Sequence, residues 1–270
     1  MKIIDAHMHT LHEKEADEHT KKYKIDFSEN GLKKECKRNN IQYVLSFGCG
    51  MNRATPMGFD IIKKQQKNNP RIKQVIGINT NFKITKKQIK QVDEALKKGL
   101  AKAIKIYLGY THFYAYDKIY HPFYKLAEKY NCPVIFHTGD TFGGNALLKY
   151  AHPLTIDEVA VKFPKVNFVI AHIGEPWTID AAEVIYKNPN VYTDISGFVI
   201  GKIDKADEKR IKEKIRYALD YVGNPKKFLY GSDWPLISMT SYIKLMKKII
   251  PSKFHKDIFY NNAKELFKLK

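Results

Sequence analysis

Apolar, β-branched runs recur about every thirty residues along the chain, each followed by a stretch of helical periodicity. This alternation constrains the fold more than any other feature, because strands separated by helices pair in parallel and need both faces covered. The runs predict strands over residues 3–6, 42–47, 75–78, 101–108, 133–137, 166–172, 191–195 and 228–233. Helices are expected between them at 30–39, 55–68, 85–98, 119–131, 155–163, 178–187 and 207–222, with two more at 242–250 and 262–269. In the segment 85–98, Ile89, Val92 and Leu96 fall on one face, and Gly99 follows as a stop. Eight strands alternating with helices over 270 residues is the count of an α/β fold of the (β/α)8 TIM-barrel type. An open doubly wound sheet is the alternative, but no glycine-rich phosphate fingerprint follows the first strand. No composition shift or linker divides the chain, so residues 1–270 are expected to form a single domain.

The first strand leads into His7 and His9, two residues apart. On a strand both imidazoles face the same side, and by the same parity Asp5 is expected there too. Two imidazoles on one face can supply two ligands to a divalent metal, although such pairs also occur on solvated strands. The decision rests on what the other strands deliver. Their expected ends carry Lys105, His137, His172, Asp194 and Asp233. Polar side chains closing apolar strands are costly to bury unless paired or bound, and in a barrel the C-terminal strand ends converge on one face. Singly, His137 or His172 reads as a satisfied core histidine; a whole rim of such residues points to a site. Asp194 has a second reading, as a cap for the next helix.

Composition narrows the classes further. Hydrophobic content of 44% and charged content of 28% are those of a soluble globular chain, and no apolar run is long enough for a transmembrane helix. The N-terminus lacks a signal-peptide pattern, and Cys36, Cys49 and Cys132 are too few and too scattered for a disulfide framework. A cytoplasmic location is therefore expected. The net charge of +19 raises nucleic acid as a partner, but the only arginines are Arg38, Arg53, Arg71, Arg210 and Arg216. Lysines dispersed over expected helices read as a solvated surface, so no nucleic-acid or membrane partner is expected. A polar segment over residues 10–28, with His12 and His19, is long for a βα loop and is expected to be a lid or binding segment.

Four motifs, Ile4-Asp5-Ala6-His7-Met8-His9, Pro133-Val134-Ile135-Phe136-His137-Thr138-Gly139, Phe168-Val169-Ile170-Ala171-His172-Ile173-Gly174 and Tyr230-Gly231-Ser232-Asp233-Trp234-Pro235, resemble those of the amidohydrolase superfamily. More narrowly they resemble its amidohydrolase-2 branch, which includes decarboxylases and lactone hydrolases, and residues 261–267 are similar to that branch's closing helix. The resemblance runs from the first strand to the last helix. It implies one divalent metal, zinc first with manganese as the alternative, held by His7, His9, His137 and Asp233. It also implies a catalytic acid/base role for His172, with Asp233 both binding the metal and accepting a proton. Three neutral imidazoles and one carboxylate leave a positive centre with an open position, as hydrolytic metals need.

Lys105 divides the readings. In related binuclear enzymes a lysine on the fourth strand is carboxylated and bridges two metals; here its surroundings resemble the mononuclear branch, where it contacts substrate or supports the site. Asp140 and His152 are candidates for lining the pocket, Glu175 for orienting His172, and Asp194 for supporting the ligands from behind. Tyr107, Tyr110, His112 and Tyr114 form an aromatic cluster that could stack on a planar substrate or cover the core. Loops 10–28, 49–56, 109–118 and 140–154 are expected to carry pocket specificity.

The expected activity is metal-dependent hydrolysis of a small carbonyl compound (a lactone, amide or ester), with non-oxidative decarboxylation or carbon–carbon lysis on the same site as the alternative. A TatD-like deoxyribonuclease is disfavoured because residues 75–79 offer no glutamate at a strand end. A barrel that binds ligand without turnover is the remaining reading. The partner expected is a small-molecule substrate, and a homo-oligomer is left open.

Overall fold

The computed structural model describes residues 1–9, 22–48 and 52–270. Eight strands, β1 (Ile3–His9), β2 (Ile41–Phe47), β3 (Ile72–Ile78), β4 (Ala101–Ile106), β5 (Val134–Phe136), β6 (Phe168–Ile170), β7 (Val191–Asp194) and β8 (Phe228–Leu229), form one sheet in sequence order. Every neighbouring pair is parallel. The chain beyond β8 returns to β1: Ala6 N–H donates to the Tyr230 carbonyl at 2.9 Å, Asp233 N–H to that of His7 at 2.8 Å, and His9 N–H to that of Trp234 at 2.8 Å. These bonds close the sheet into the expected (β/α)8 barrel.

The helices are α1 (Glu29–Arg38), α2 (Phe59–Asn68), α3 (Lys86–Lys97), α4 (His121–Tyr130), α5 (Thr155–Lys162), α6 (Thr178–Lys187), α7 (Lys205–Val222), α8 (Met239–Ile249) and α9 (Asn262–Leu266). Their starts follow local chemistry. Thr85 and Gln88 make a reciprocal capping box on α3, Asp204 and Asp207 make another on α7, and the Ser28 hydroxyl accepts from Gly31 N–H on α1. On α3, Val92 and Leu96 are buried and Ile89 packs partly buried against the same core, as its periodicity predicts. Among the described residues, no helix is long and apolar enough to cross a membrane.

Two apolar shells hold the barrel. The outer one joins strand residues such as Ile3, Met8, Ile76, Ile104 and Phe168 to the helices. The inner one contains Ile4, Ala6, Leu45, Phe47, Val75, Ala103, Ile135, Val169 and Leu229, and is plugged by Leu266, Phe267 and Leu269 from the C-terminal segment. That plug lies beside the start of β8, where Asn262 donates to the carbonyl of Phe228 at 2.8 Å. The opposite end of the barrel is left for chemistry.

Strand β1 corrects one expectation. Its register against β2 shifts between Asp5 and Met8. Ile3 and Met8, five residues apart, therefore both join the outer shell, while Ile4 and Ala6 join the inner one. The irregularity resets the parity, so Asp5 does not share a face with His7 and His9. Its Oδ1 instead accepts from the backbone N–H groups of Ser232 at 2.9 Å and His7 at 3.2 Å, tying β1 to the segment after β8. The candidate lid, with His12 and His19, lies outside the described residues over 10–21, as does Cys49.

Candidate active site

The site residues arise from strands that stop early. His137, His172 and Asp233 were expected as the last residues of their strands, but β5 ends at Phe136, β6 at Ile170 and β8 at Leu229. His172 and Asp233 adopt left-handed backbone angles (φ 58° and 61°), which lie outside the extended region that strand residues occupy. The short turn Ala171–Gly174 carries His172 inward over the end of the barrel. Non-glycine residues in this region are uncommon and concentrate at functional sites.

Three of the four expected metal ligands converge. His9 Nε2 lies 3.2 Å and His7 Nε2 3.6 Å from the same atom, Asp233 Oδ1. Both His7 Nε2 and Asp233 Oδ1 are buried and lack a hydrogen-bond partner, and the 3.6 Å between them is too long for a hydrogen bond. Buried polar atoms left without partners are costly, and a cation bound among them removes that cost. Two imidazoles and a carboxylate form a donor set that suits a divalent transition metal. The fourth, His137, faces the same cavity but is not part of this group. Its Nε2 is 3.0 Å from the Asp140 carbonyl, to which only an N–H can donate, so Nδ1 carries the lone pair.

Asp194, at the end of β7, ties the group together from behind. Its Oδ2 accepts from His7 Nδ1 at 2.8 Å, which leaves the lone pair of His7 on Nε2, toward Asp233. Its Oδ1 accepts from the His172 N–H at 3.1 Å, the Ser196 N–H at 3.1 Å and the Ser196 hydroxyl at 2.5 Å. The same hydroxyl oxygen is 2.9 Å from His172 Nδ1. Asp194 is thus fully engaged with the site, not with the start of α7, which Asp204 caps.

Electrostatics favour the forms that bind a cation. Burial holds the His7 imidazole down to about 3, with Lys105 and His172 adding to the effect against the pull of Asp194. Burial likewise pushes His137 well below the ordinary range, helped by His172 and Lys105, and lowers His172. For Asp233, burial alone would raise the carboxyl, but the facing imidazoles of His9, His7 and His172 outweigh it and hold it below the usual range. Asp194 is held low in the same way, burial being outweighed chiefly by His7. Neutral imidazoles beside ionised carboxylates are the states that metal binding requires.

Lys105 is fully buried in the barrel, with its Nζ 4.8 Å from the Phe47 ring centre and 5.5 Å from that of Tyr107. Nζ has no hydrogen-bond partner, and burial lowers its ammonium to about 8. It does not line the cavity. The expected orienting contact from Glu175 is not made. The Glu175 carboxylate accepts instead from Lys214 Nζ at 2.5 Å, Arg210 Nη1 at 3.1 Å and the Thr178 hydroxyl at 3.2 Å. His152 stacks near Trp177, ring centres 4.7 Å apart, while Asp140 lines the cavity.

The cavity over these residues measures about 640 Å³, and His9, His137, His172 and Asp233 form part of its wall. Tyr107 and Tyr110 line it as expected, whereas His112 and Tyr114 pack against Tyr150. Loop 140–154 contributes Asp140, Phe142 and Leu148. The wall also includes Trp177, Phe198, Ile200, Arg210 and Leu236, and of these Phe198, Ile200, Arg210 and Leu236 carry no mark of a site in the sequence. Phe198 and Ile200 follow Asp194-Ile195-Ser196-Gly197, where a polar pair at a strand end was the available signal.

Compared by sequence with curated proteins, the chain matches none. Among solved structures it is similar to an uncharacterised TIM-barrel protein of Bordetella bronchiseptica, with 19% identity, TM-score 0.77 and 99% of each chain covered. It is similar also to a dihydroxybenzoic acid decarboxylase of Polaromonas sp. JS666 with bound manganese (14% identity, TM-score 0.75, 99% of this chain and 97% of that one). A third is a putative 2-pyrone-4,6-dicarboxylic acid hydrolase of Pseudomonas putida (12% identity, TM-score 0.69, 99% and 97%). At these identities the likeness establishes the fold. Residues 60–269 match the family model described as amidohydrolase, a span that includes His137, His172, Asp194 and Asp233 and begins after His7 and His9. The chain is a member of the amidohydrolase family, in its amidohydrolase-2 branch.

Proposed function

We propose that the chain is a metal-dependent hydrolase of a small carbonyl compound, a lactone, amide or ester, with a single divalent ion held by His7, His9 and Asp233. The observation that carries this reading is the convergence of two imidazole nitrogens on one partnerless carboxylate oxygen of Asp233, a residue of the cavity wall. His137, whose lone pair is left on Nδ1, would complete the ligand set. Zinc suits this set, and manganese, bound in the Polaromonas decarboxylase, is the alternative. The ion would polarise the substrate carbonyl and acidify a water molecule. Asp233 presents Oδ1 to His7 and His9, so its second oxygen is available to take a proton from the nucleophile. The proton that Asp233 takes up passes to His172, whose ring lines the cavity wall, and from His172 to the leaving group. The aromatic side chains on the wall hold a flat substrate.

The apolar walls also favour a second reading, non-oxidative decarboxylation, since they disfavour a carboxylate relative to carbon dioxide. The Polaromonas neighbour is named for that chemistry and the Pseudomonas one for hydrolysis. The test is turnover of lactones, esters, amides and aromatic acids by chelator-treated protein, before and after zinc or manganese is restored. Metal-restored hydrolysis supports the first reading, metal-restored carbon dioxide release the second, and turnover indifferent to chelation contradicts both.

A further inference from the structure

We propose that Ser196 is a positioning residue that fixes the tautomer of His172, keeping the proton on Nδ1 and the lone pair on Nε2. The proposal rests on reading His172 as the acid/base of the site. The Ser196 hydroxyl has a single proton and two neighbours, Asp194 Oδ1 at 2.5 Å and His172 Nδ1 at 2.9 Å. Asp194 is an ionised carboxylate and can only accept, so the hydroxyl proton must point to it. The serine oxygen then offers only lone pairs to the imidazole. A neutral His172 meets that demand with its proton on Nδ1; the other tautomer would bring two lone pairs together at 2.9 Å in a buried site.

The surroundings leave little freedom. Ser196 is fully buried, and a Cβ built on Gly197 would come within 2.4 Å of His172 Nδ1. Gly197 also has φ 74°, so the residue beside Ser196 is suited to glycine on both counts, and the His172 ring packs directly on its backbone. Asp194 thereby sets two imidazoles at once, His7 directly through Oδ2 and His172 through the serine. One carboxylate leaves both Nε2 atoms as the lone-pair nitrogens, one beside Asp233 and the other on a side chain that lines the cavity. Glu175, the nearer acid in sequence, is occupied by Arg210 and Lys214 and does not compete for the ring.

The experiment is nitrogen NMR of protein labelled on its histidines and treated with chelator, so that no ion occupies a ring nitrogen. The His172 resonances are assigned by their loss in His172→Gln. The expected result for the unmodified protein is the Nδ1–H tautomer; a proton on Nε2, or on both nitrogens, overturns the proposal. In Ser196→Ala the expected result is a shift of His172 toward the Nε2–H form, and retention of a pure Nδ1–H signal overturns it. Metal content, measured on the same preparations before chelation, tests the metal reading separately.

Discussion

At the scale of single residues, the sharpest test falls on Asp233, whose orphaned Oδ1 lies 3.6 Å from the orphaned Nε2 of His7. Asp233→Ala is expected to abolish metal uptake, and His172→Ala to remove activity while keeping most of the metal; elemental analysis of both variants checks the division. Lys105 gives a prediction in pH. Its ammonium falls from 10.5 to about 8 in the folded chain because burial penalises the charge. Below pH 8 both folded and unfolded states carry the proton, and the folded state bears the penalty. Between about 8 and 10.5 the unfolded chain binds more protons, so folding stability rises with pH across that window. Metal-free wild type should therefore gain on the order of 2–3 kcal/mol relative to Lys105→Met between about pH 7 and pH 10.5, read from urea melts. A difference that is flat or falls with pH would contradict this burial. Much of the site was legible from residue type and position, since imidazoles and carboxylates closing apolar strands are too costly to bury unless they bind something. What escaped was hydrogen-bond assignment: Ser196 is an ordinary residue in sequence, and the nearer acid Glu175 looks like the partner of His172 until its contacts with Arg210 and Lys214 are seen.

At the scale of elements, all eight strands could be read from apolar runs, but their ends could not. The runs at 166–172 and 228–233 look like continuous strands, whereas the regular strands end at Ile170 and Leu229 and the backbone turns left-handed to aim His172 and Asp233. Hydrophobicity records burial, which continues past the ladder; it does not record φ. The register shift in β1 escaped for the same reason, and it is what separates Asp5 from the two histidines. The C-terminal segment has a structural role that can be tested apart from the site. Phe267 is 2% exposed and plugs the inner shell at the end away from the cavity. Phe267→Ala is expected to cost about 3–5 kcal/mol of stability, measured by chemical denaturation, with metal per folded chain unchanged. Loss of metal from the folded variant would show that the two ends of the barrel are coupled.

At the scale of the whole molecule, the barrel's two apolar shells include none of the residues expected to hold the ion. Chelation is therefore expected to leave the secondary structure intact at room temperature while lowering Tm. Free metal at roughly a thousandfold excess over Kd should restore about 4 kcal/mol, and thermal melts across a metal titration give that dependence. The charge of +19 belongs to this scale as well, because it is spread over a lysine-rich exterior and not gathered in the cavity, whose charged wall groups are of both signs. The measurement that bears most directly on the metal site is metal per chain, by elemental analysis of protein purified without chelator, wild type beside Asp233→Ala. About one divalent equivalent is expected in the wild type and little in the variant. A wild-type chain that takes up none when offered zinc or manganese, or a variant that keeps its full complement, would contradict the site described above.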